Sequence, residues 1–159
     1  MAKPKVTVGG VFKQLQRIDE VIAAEVMSNI GETVIRESKA MIAKGQSPVD
    51  GYGRFEKYKD PKKYPGKRKP ASPVNLKLEG DMLDAYQYRR TAKTKLEVGV
   101  RDPKQAKKAH AHNEGTADIP QRRFIPGEGE SFAKPITRKV IDIIDRRMKL
   151  LIRQAEKKK

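Results

Sequence analysis

The densest group of side chains that could carry acid–base or metal chemistry is the string His110-Ala111-His112-Asn113-Glu114. A histidine followed by an asparagine could suggest a nuclease. A metal-dependent nuclease needs several carboxylates or histidines that converge on one ion, and besides Glu114 only Asp118 lies close by in the sequence. The set of ligands is incomplete, and we therefore expect neither catalysis nor a bound metal here.

The other candidates for chemistry are equally incomplete. Glu79, Asp81 and Asp84 form a small acidic cluster that we expect to offset nearby lysines and arginines. The sequence Gly127-Glu128-Gly129 lacks the lysine and the preceding strand of a phosphate-binding loop. The chain has no cysteine, which excludes disulfides and thiolate metal sites. These observations predict a protein that is not an enzyme and needs no cofactor.

Positive charge is the strongest feature of the composition. Lysine and arginine number 36 against 20 acidic residues, a formal net charge of +16, and such a surplus attracts nucleic acid, an anionic surface or an acidic protein. Residues 53–70 alone hold eight basic and two acidic residues, with tyrosines that could stack on bases. This segment could be a solvated surface. Otherwise the candidates for contact with DNA or an acidic partner are Lys62, Lys63, Lys67, Arg68 and Lys69.

Two long amphipathic helices are predicted to frame the chain. Residues 11–44 carry apolar residues at steps of three or four, which places them on one stripe: Val11, Leu15, Ile18, Ile22, Val26, Ile30 and Val34. Gly31 weakens this helix by about 1 kcal/mol, and Gly45 followed by Pro48 ends it. Residues 131–155 predict the second helix, with a stripe of Ile136, Val140, Ile143 or Ile144, Met148 and Leu151.

Shorter pieces are predicted between the helices. Residues 46–75, punctuated by proline and glycine, predict an extended basic loop. A turn or short helix, the two strands of a hairpin and another short helix should follow at residues 75–84, 84–91, 95–101 and 104–114. Pro120 and Pro126 then bracket an extended piece, residues 121–125, because each proline restricts the residue before it to extended backbone.

The predicted fold class is α+β, with both long helices packed on a small antiparallel sheet. We expect a single domain over residues 1–159, in which residues 156–159 form a flexible basic tail. No run of 18 apolar residues occurs, so no membrane-spanning helix is predicted. The N-terminus is not followed by the apolar stretch of a secretory signal, and we expect the protein to be made in a reducing cytoplasm.

Four motifs occur in order between residues 75 and 150. They are Leu78-Glu79-Gly80-Asp81-Met82-Leu83, Val98-Gly99-Val100, Ala109-His110-Ala111-His112-Asn113-Glu114-Gly115 and Ile119-Pro120-Gln121-Arg122-Arg123-Phe124-Ile125-Pro126. Followed by an amphipathic helix, this order resembles the tail-completion, or head–tail joining, proteins of the neck of tailed bacteriophages. Members of that family have a small hydroxyl residue at the position of Glu79 and an aromatic residue at that of Lys108.

The resemblance implies a structural virion protein without catalytic activity. Such proteins are assembled in the host bacterial cytoplasm and form rings, often hexameric, in the virion neck. The implied partners are further copies of the chain, an adjacent connector or stopper protein, and a tail terminator or tail tube protein. Genome DNA passes through the channel of such a ring, so nonspecific contact with DNA is also implied. The residues of the motifs that are candidates for interface contacts are His112, Arg122, Arg123 and Phe124.

Each of these candidates also has a simpler interpretation. Phe124 could be an ordinary core residue, and His112 a packed or capping histidine. Arg122 and Arg123 could pair with acidic groups of a neighbouring subunit or be solvated. For the whole protein, the sequence pI of 10.1 leaves a standalone nucleic-acid-binding protein as the alternative, although no helix-turn-helix, zinc finger or aromatic RNA-binding signature supports it.

Overall fold

A computed structural model of the chain describes residues 18–57, 74–76 and 81–157. Two long helices and a two-stranded antiparallel sheet confirm the predicted α+β class. In chain order the elements are α1 (Glu20–Ala43), α2 (Asp81–Asp84), β1 (Tyr86–Ala92), β2 (Lys95–Val100), α3 (Pro103–Glu114) and α4 (Lys134–Glu156).

Helix α1 begins later than the apolar stripe predicts. Asp19 has extended backbone angles, φ −54° and ψ 146°, and its carboxylate accepts a hydrogen bond of 2.8 Å from the N–H of Val21. This side chain satisfies an N–H group that has no partner inside the helix. The prediction of a continuous helix is therefore wrong at Ile18 and Asp19, and residues 11–17 lie outside the described part. The predicted stripe is confirmed along the rest of α1, where its buried residues include Val26, Ile30 and Val34.

The predicted hairpin is confirmed. Strands β1 and β2 pair in a register that runs from Tyr86 opposite Val100 to Arg90 opposite Leu96. Residues directly opposite each other share one face of the sheet, and this face buries Tyr86, Leu96 and Val98. Gln87 and Gly99, which are also opposite each other, lie on the other face.

Gly31 has a packing role that the sequence did not reveal. A methyl group at this position would overlap the ring of Tyr88, which lies directly against the backbone of α1. The hydroxyl of Tyr88 is 2.9 Å from the Ser28 hydroxyl, one turn earlier in α1. Glycine at position 31 lowers the helix propensity of α1, but it allows close contact between α1 and the sheet.

Helix α4 runs antiparallel to α1 and buries Ile136, Val140 and Ile144 against it. Ion pairs join the exposed margins of the two helices: Lys139 with Glu37 at 2.6 Å, and Arg147 with Glu25 at 3.0 Å. The hydrogen bond from Lys139 is the largest influence on Glu37 and lowers the pKa of its carboxyl. One hydrophobic cluster draws on every helix and strand described here, as well as on Phe55, Phe124 and Phe132.

Helix α4 begins at Lys134, and the predicted start at residue 131 is therefore wrong. Residues 131–133 pair with residues 48–50 instead of joining the helix: the N–H of Asp50 donates to the carbonyl of Ser131, and that of Ala133 to the carbonyl of Pro48. The first part of the predicted loop 46–75 is thereby attached to the core, with Val49 and Phe55 buried. Residues 58–73 of that loop, residues 77–80, and Lys158 and Lys159 of the predicted tail lie outside the described residues.

The short helix predicted at 104–114 is confirmed as α3, which begins one residue earlier. Asp102 caps it by accepting a hydrogen bond of 2.8 Å from the N–H of Gln105. The predicted extended piece, residues 121–125, follows α3 and belongs to no sheet in the described part of the chain. Over residues 18–57, 74–76 and 81–157, no helix combines the length and apolar character that crossing a bilayer requires.

Replacing Gly31 with alanine tests the contact between α1 and the sheet. Alanine favours helix by about 1 kcal/mol relative to glycine, but its methyl group overlaps the Tyr88 ring. We expect Gly31→Ala to lower the free energy of unfolding by about 1–3 kcal/mol, as overpacked core substitutions do, measured by denaturant titration. In a Tyr88→Ala background the same change should become stabilising. Equal effects of Gly31→Ala in both backgrounds would contradict this packing role.

Candidate assembly site

The side chain of Asn113 holds the segment that follows α3. Gln105, Ala109 and Asn113 recur at steps of four on the inward face of α3, and Asn113 is only 8% exposed. Its Oδ1 accepts hydrogen bonds from the backbone N–H groups of Phe124 and Ile125, both at 2.9 Å. Its Nδ2 donates to the carbonyl of Ile125 at 3.1 Å. The amide thus supplies donors and acceptors that a neighbouring strand would otherwise supply.

Arg123 forms a second attachment at the same place. Its guanidinium donates to Glu130 at 2.7 Å and also to Glu114 at the end of α3. Glu130 accepts two further hydrogen bonds of 2.6 Å, from the Tyr52 hydroxyl and from the N–H of Gly127. One partly buried ionic network therefore joins α3, the loop at residue 52 and the turn at residues 127–130.

The pKa shifts within this network follow from these contacts. Burial alone would raise the pKa of Glu130, but the hydrogen bonds from Tyr52, Gly127 and Arg123 outweigh it and lower the pKa below its ordinary 4.5. The hydrogen bond to Glu130 raises the pKa of the Tyr52 phenol. Gly127 leaves the room that this arrangement needs, because a side chain there would overlap the guanidinium of Arg123.

Arg122 points the other way and attaches the loop that follows α1. It is 3% exposed, and its guanidinium donates to the carbonyls of Glu56 at 3.1 Å and Lys57 at 3.4 Å. The Ser47 hydroxyl, also buried, donates to the carbonyl of Arg123 at 2.5 Å. The interpretation that Arg122 and Arg123 are solvated is therefore wrong, since both are buried and paired within the chain.

The other predicted site residues take structural places or lie outside the described part. Phe124 is fully buried and meets Tyr86 edge to face, with ring centroids 5.9 Å apart. His112 is half-buried, and its carbonyl accepts a hydrogen bond of 2.6 Å from the N–H of Arg122. The predicted basic contacts fall outside the described residues: Lys62, Lys63, Lys67, Arg68 and Lys69.

An open groove of about 550 Å³ borders this network. Strand β2 forms one wall of the groove, and residues between Arg123 and Glu128 form another. Ala106 and Ala109 of α3 add small apolar side chains to the lining. We call this feature the β2 groove; its lining also includes Arg89, Glu97, Val98, Gly99, Val100, Arg101, His110, Glu114, Ile125, Pro126 and Gly127.

The groove holds side chains of the types that catalytic and metal sites use. His110 and Glu114 line it, but the Glu114 carboxylate pairs with Arg123. Among the described residues no group of three or more histidines and carboxylates could hold a metal ion. What the arrangement offers is a cleft with a stiff wall and mixed charges, which suits the binding of a chain segment.

Asn113→Leu should destabilise the protein strongly. Leucine keeps the branched shape of the side chain but removes the acceptor of two N–H groups, and each unsatisfied buried donor costs about 1–3 kcal/mol. We expect the free energy of unfolding to fall by about 2–4 kcal/mol in denaturant titrations. The matched control is Asn29→Leu, on the exposed face of α1. Equal stabilities of the two variants would show that the Asn113 amide does not hold the segment.

The network around Glu130 predicts that the stability of the folded protein depends on pH. Because the folded-state pKa lies below the ordinary value, the stabilisation is complete above about pH 5 and is lost as the pH falls through the folded-state pKa. Glu130→Gln should therefore be less stable than wild type near neutral pH and approach it in acid, measured by thermal unfolding from about pH 7 to about pH 3. Glu128→Gln changes an exposed neighbour and serves as the control. A difference for Glu130→Gln that persists unchanged into acid would contradict the stabilisation by ionised Glu130.

Comparison with protein-family models, with curated proteins and with solved structures found no match to this chain.

Proposed function

We propose that the chain is a structural protein of the neck of a tailed bacteriophage, where copies form a ring that joins the head-side connector to the tail. The order of motifs between residues 75 and 150 supports this assignment through its resemblance to tail-completion proteins. Its neighbours in the virion would be a connector or stopper protein on one side and a tail terminator or tail tube protein on the other.

The sheet is the observation that carries the proposal. Among the described residues it has two strands only, and each strand has one partner. An unpaired strand edge is a template for pairing with another chain. Edges that meet head to tail between copies close into a ring when the rotation between copies permits.

The motif residues contribute stiffness to such a subunit. Arg122, Arg123 and Asn113 use their polar groups on their own chain, so they build a wall and do not themselves need an acidic partner. A surface that is rigid before binding loses less conformational entropy when a partner arrives. The proposed contacts between copies therefore involve the strand edges and the β2 groove beside them.

Neighbouring rings or DNA would meet the surplus of positive charge. Lys104, Lys107 and Lys108 lie together on the exposed face of α3, and within the described part of the chain none of them makes an ion pair. Like charges this close on a helix repel each other slightly. An acidic surface on an adjacent ring would relieve that repulsion, as would the phosphates of the genome. The same lysines favour the alternative of a standalone nucleic-acid-binding protein.

The purified full-length chain should form a closed oligomer of one stoichiometry as its concentration rises, measured by size-exclusion chromatography with light scattering. Imaging of purified virions with a labelled antibody should place it at the neck. A chain that remains monomeric with its cognate virion components, and that is absent from mature particles, would overturn the proposal.

Titration with duplex DNA separates the two functions. Tight binding that falls steeply with salt, by a chain that neither forms an oligomer nor enters virions, would favour the nucleic-acid-binding protein. A triple variant that combines Lys104→Gln, Lys107→Gln and Lys108→Gln should then lose affinity for duplex DNA. Under the ring proposal, the same variant should keep its stoichiometry, because these lysines face away from the β2 groove.

A further inference from the structure

The β2 groove follows the edge of a strand. Five consecutive residues, 97–101, line it. Because successive side chains of a strand point to opposite faces, a run of five neighbours can border a groove only through the edge of the strand. Strand β2 pairs with β1 alone among the described residues, and α3 lies beside β2. The edge of β2 that has no partner among the described residues therefore borders the β2 groove, whose lining also includes residues between Arg123 and Glu128.

Gly99 indicates that another backbone comes close to this edge. It lies inside β2, where glycine weakens a strand and often marks the approach of a ligand or of another chain. A Cβ placed on Gly99 would meet nothing within 4 Å, and its φ is not positive, so neither packing nor backbone conformation within the described chain requires glycine. Gly99 is also one of the residues that line the β2 groove.

The wall between Arg123 and Glu128 is fixed before anything binds. Asn113 holds Ile125, the Arg123 network holds Gly127, and Pro126 has a fixed φ. The volume of about 550 Å³ lies within the range of about 300–1,000 Å³ that is usual for binding clefts. An extended segment that bound in this groove would add to the sheet by backbone hydrogen bonds with the edge of β2.

The charge of the groove restricts the kind of segment. The lining holds three arginines and three glutamates, Arg89, Arg101 and Arg123 against Glu97, Glu114 and Glu128, and is neutral (3 − 3 = 0) in a chain of net charge +16. A neutral, partly apolar slot does not favour the strongly basic residues 53–70. It suits a short uncharged segment of residues that favour strands.

Val6-Thr7-Val8 is such a segment, and its residues are β-branched types that favour strands. Residues 1–17 precede the described part and join it at Ile18, whose carbonyl accepts a hydrogen bond of 2.5 Å from Lys93 at the tip of the hairpin. The nine residues from 9 to 17 span up to about 30 Å when extended. The described part therefore begins beside the sheet, and an extended linker of nine residues is long enough to carry Val6-Thr7-Val8 to a neighbouring molecule.

We propose that the β2 groove binds Val6-Thr7-Val8 of a second copy of this chain, which adds as a strand to the edge of β2. This inference rests on the proposed ring, because exchange of a segment from each copy to the next is a head-to-tail contact. It identifies the partner as the chain itself, the site as the edge at Gly99, and the donor as the N-terminal segment.

Two full-length variants test this exchange by complementation. Gly99→Val adds a branched side chain to the lining of the groove but keeps the segment, and Val6→Asp with Val8→Asp makes the segment acidic but keeps the groove. Each variant alone should self-associate at least about tenfold more weakly than wild type, measured by light scattering over a concentration series. An equimolar mixture should form a 1:1 complex and no ring, because one groove and one segment remain intact.

Gln87→Val is the matched control for Gly99→Val. Gln87 is the cross-strand partner of Gly99 on the same face of the sheet, and it does not line the groove. Valine there should leave self-association unchanged. Thermal unfolding should show that Gly99→Val is at least as stable as wild type, since valine favours strands and its Cβ would meet no atom within 4 Å; loss of assembly then reports the altered groove.

Three results would overturn the inference. Gly99→Val that assembles like wild type would show that the groove is not used. A mixture that forms no complex would show that the two sites do not meet. The third result is that the variant Val6→Asp with Val8→Asp assembles normally but has a less stable monomer. That result would show that the segment packs on its own chain. Absence of the chain from virions, together with a 1:1 complex in the mixture, would instead overturn the proposed neck function alone.

Discussion

The hydrogen bonds between the Asn113 amide and the backbone of Phe124 and Ile125 are the constraint on which the rest of the structure depends. Among the described residues the segment after α3 pairs with no strand, so its buried N–H groups have no ladder to satisfy them. Asn113 replaces that ladder with one side chain. With the backbone fixed, Phe124 enters the core against Tyr86, and Arg122 and Arg123 leave in opposite directions to attach the loops on either side.

Charge is distributed unevenly over the subunit. Three carboxylates, Glu114, Glu130 and Glu37, are committed to arginine or lysine partners inside one subunit. Much of the remaining basic charge lies on exposed surfaces such as the outer face of α3. The region around the β2 groove is balanced, and this contrast separates a neutral surface suited to copies of the chain from basic surfaces suited to acidic neighbours or DNA.

Local patterns predicted the elements, and contacts distant in sequence did not follow from them. The apolar period gave α1 and α4, and the alternation of Leu96, Val98 and Val100 gave the hairpin. Asp19 before an acidic first turn was a helix-start signal that the continuous apolar stripe concealed. The role of Gly31 depends on Tyr88, and that of Arg123 on Glu130 and Tyr52, which are far apart in the sequence. Asn113 offered one usable signal, a polar residue on the inward face of a helix, which must find buried partners.

The central claim has two parts. One wall of the β2 groove is rigid before binding, and a second copy of the chain pairs with the open edge of β2. Hydrogen exchange of the full-length chain, compared between dilute monomer and concentrated oligomer, tests both parts at once. The account predicts that the Phe124 and Ile125 amides are already protected in the monomer, and that β2 amides between Leu96 and Val100 gain protection on assembly. Rapid exchange at Phe124 and Ile125 in the monomer, or assembly without any change at β2, would contradict it.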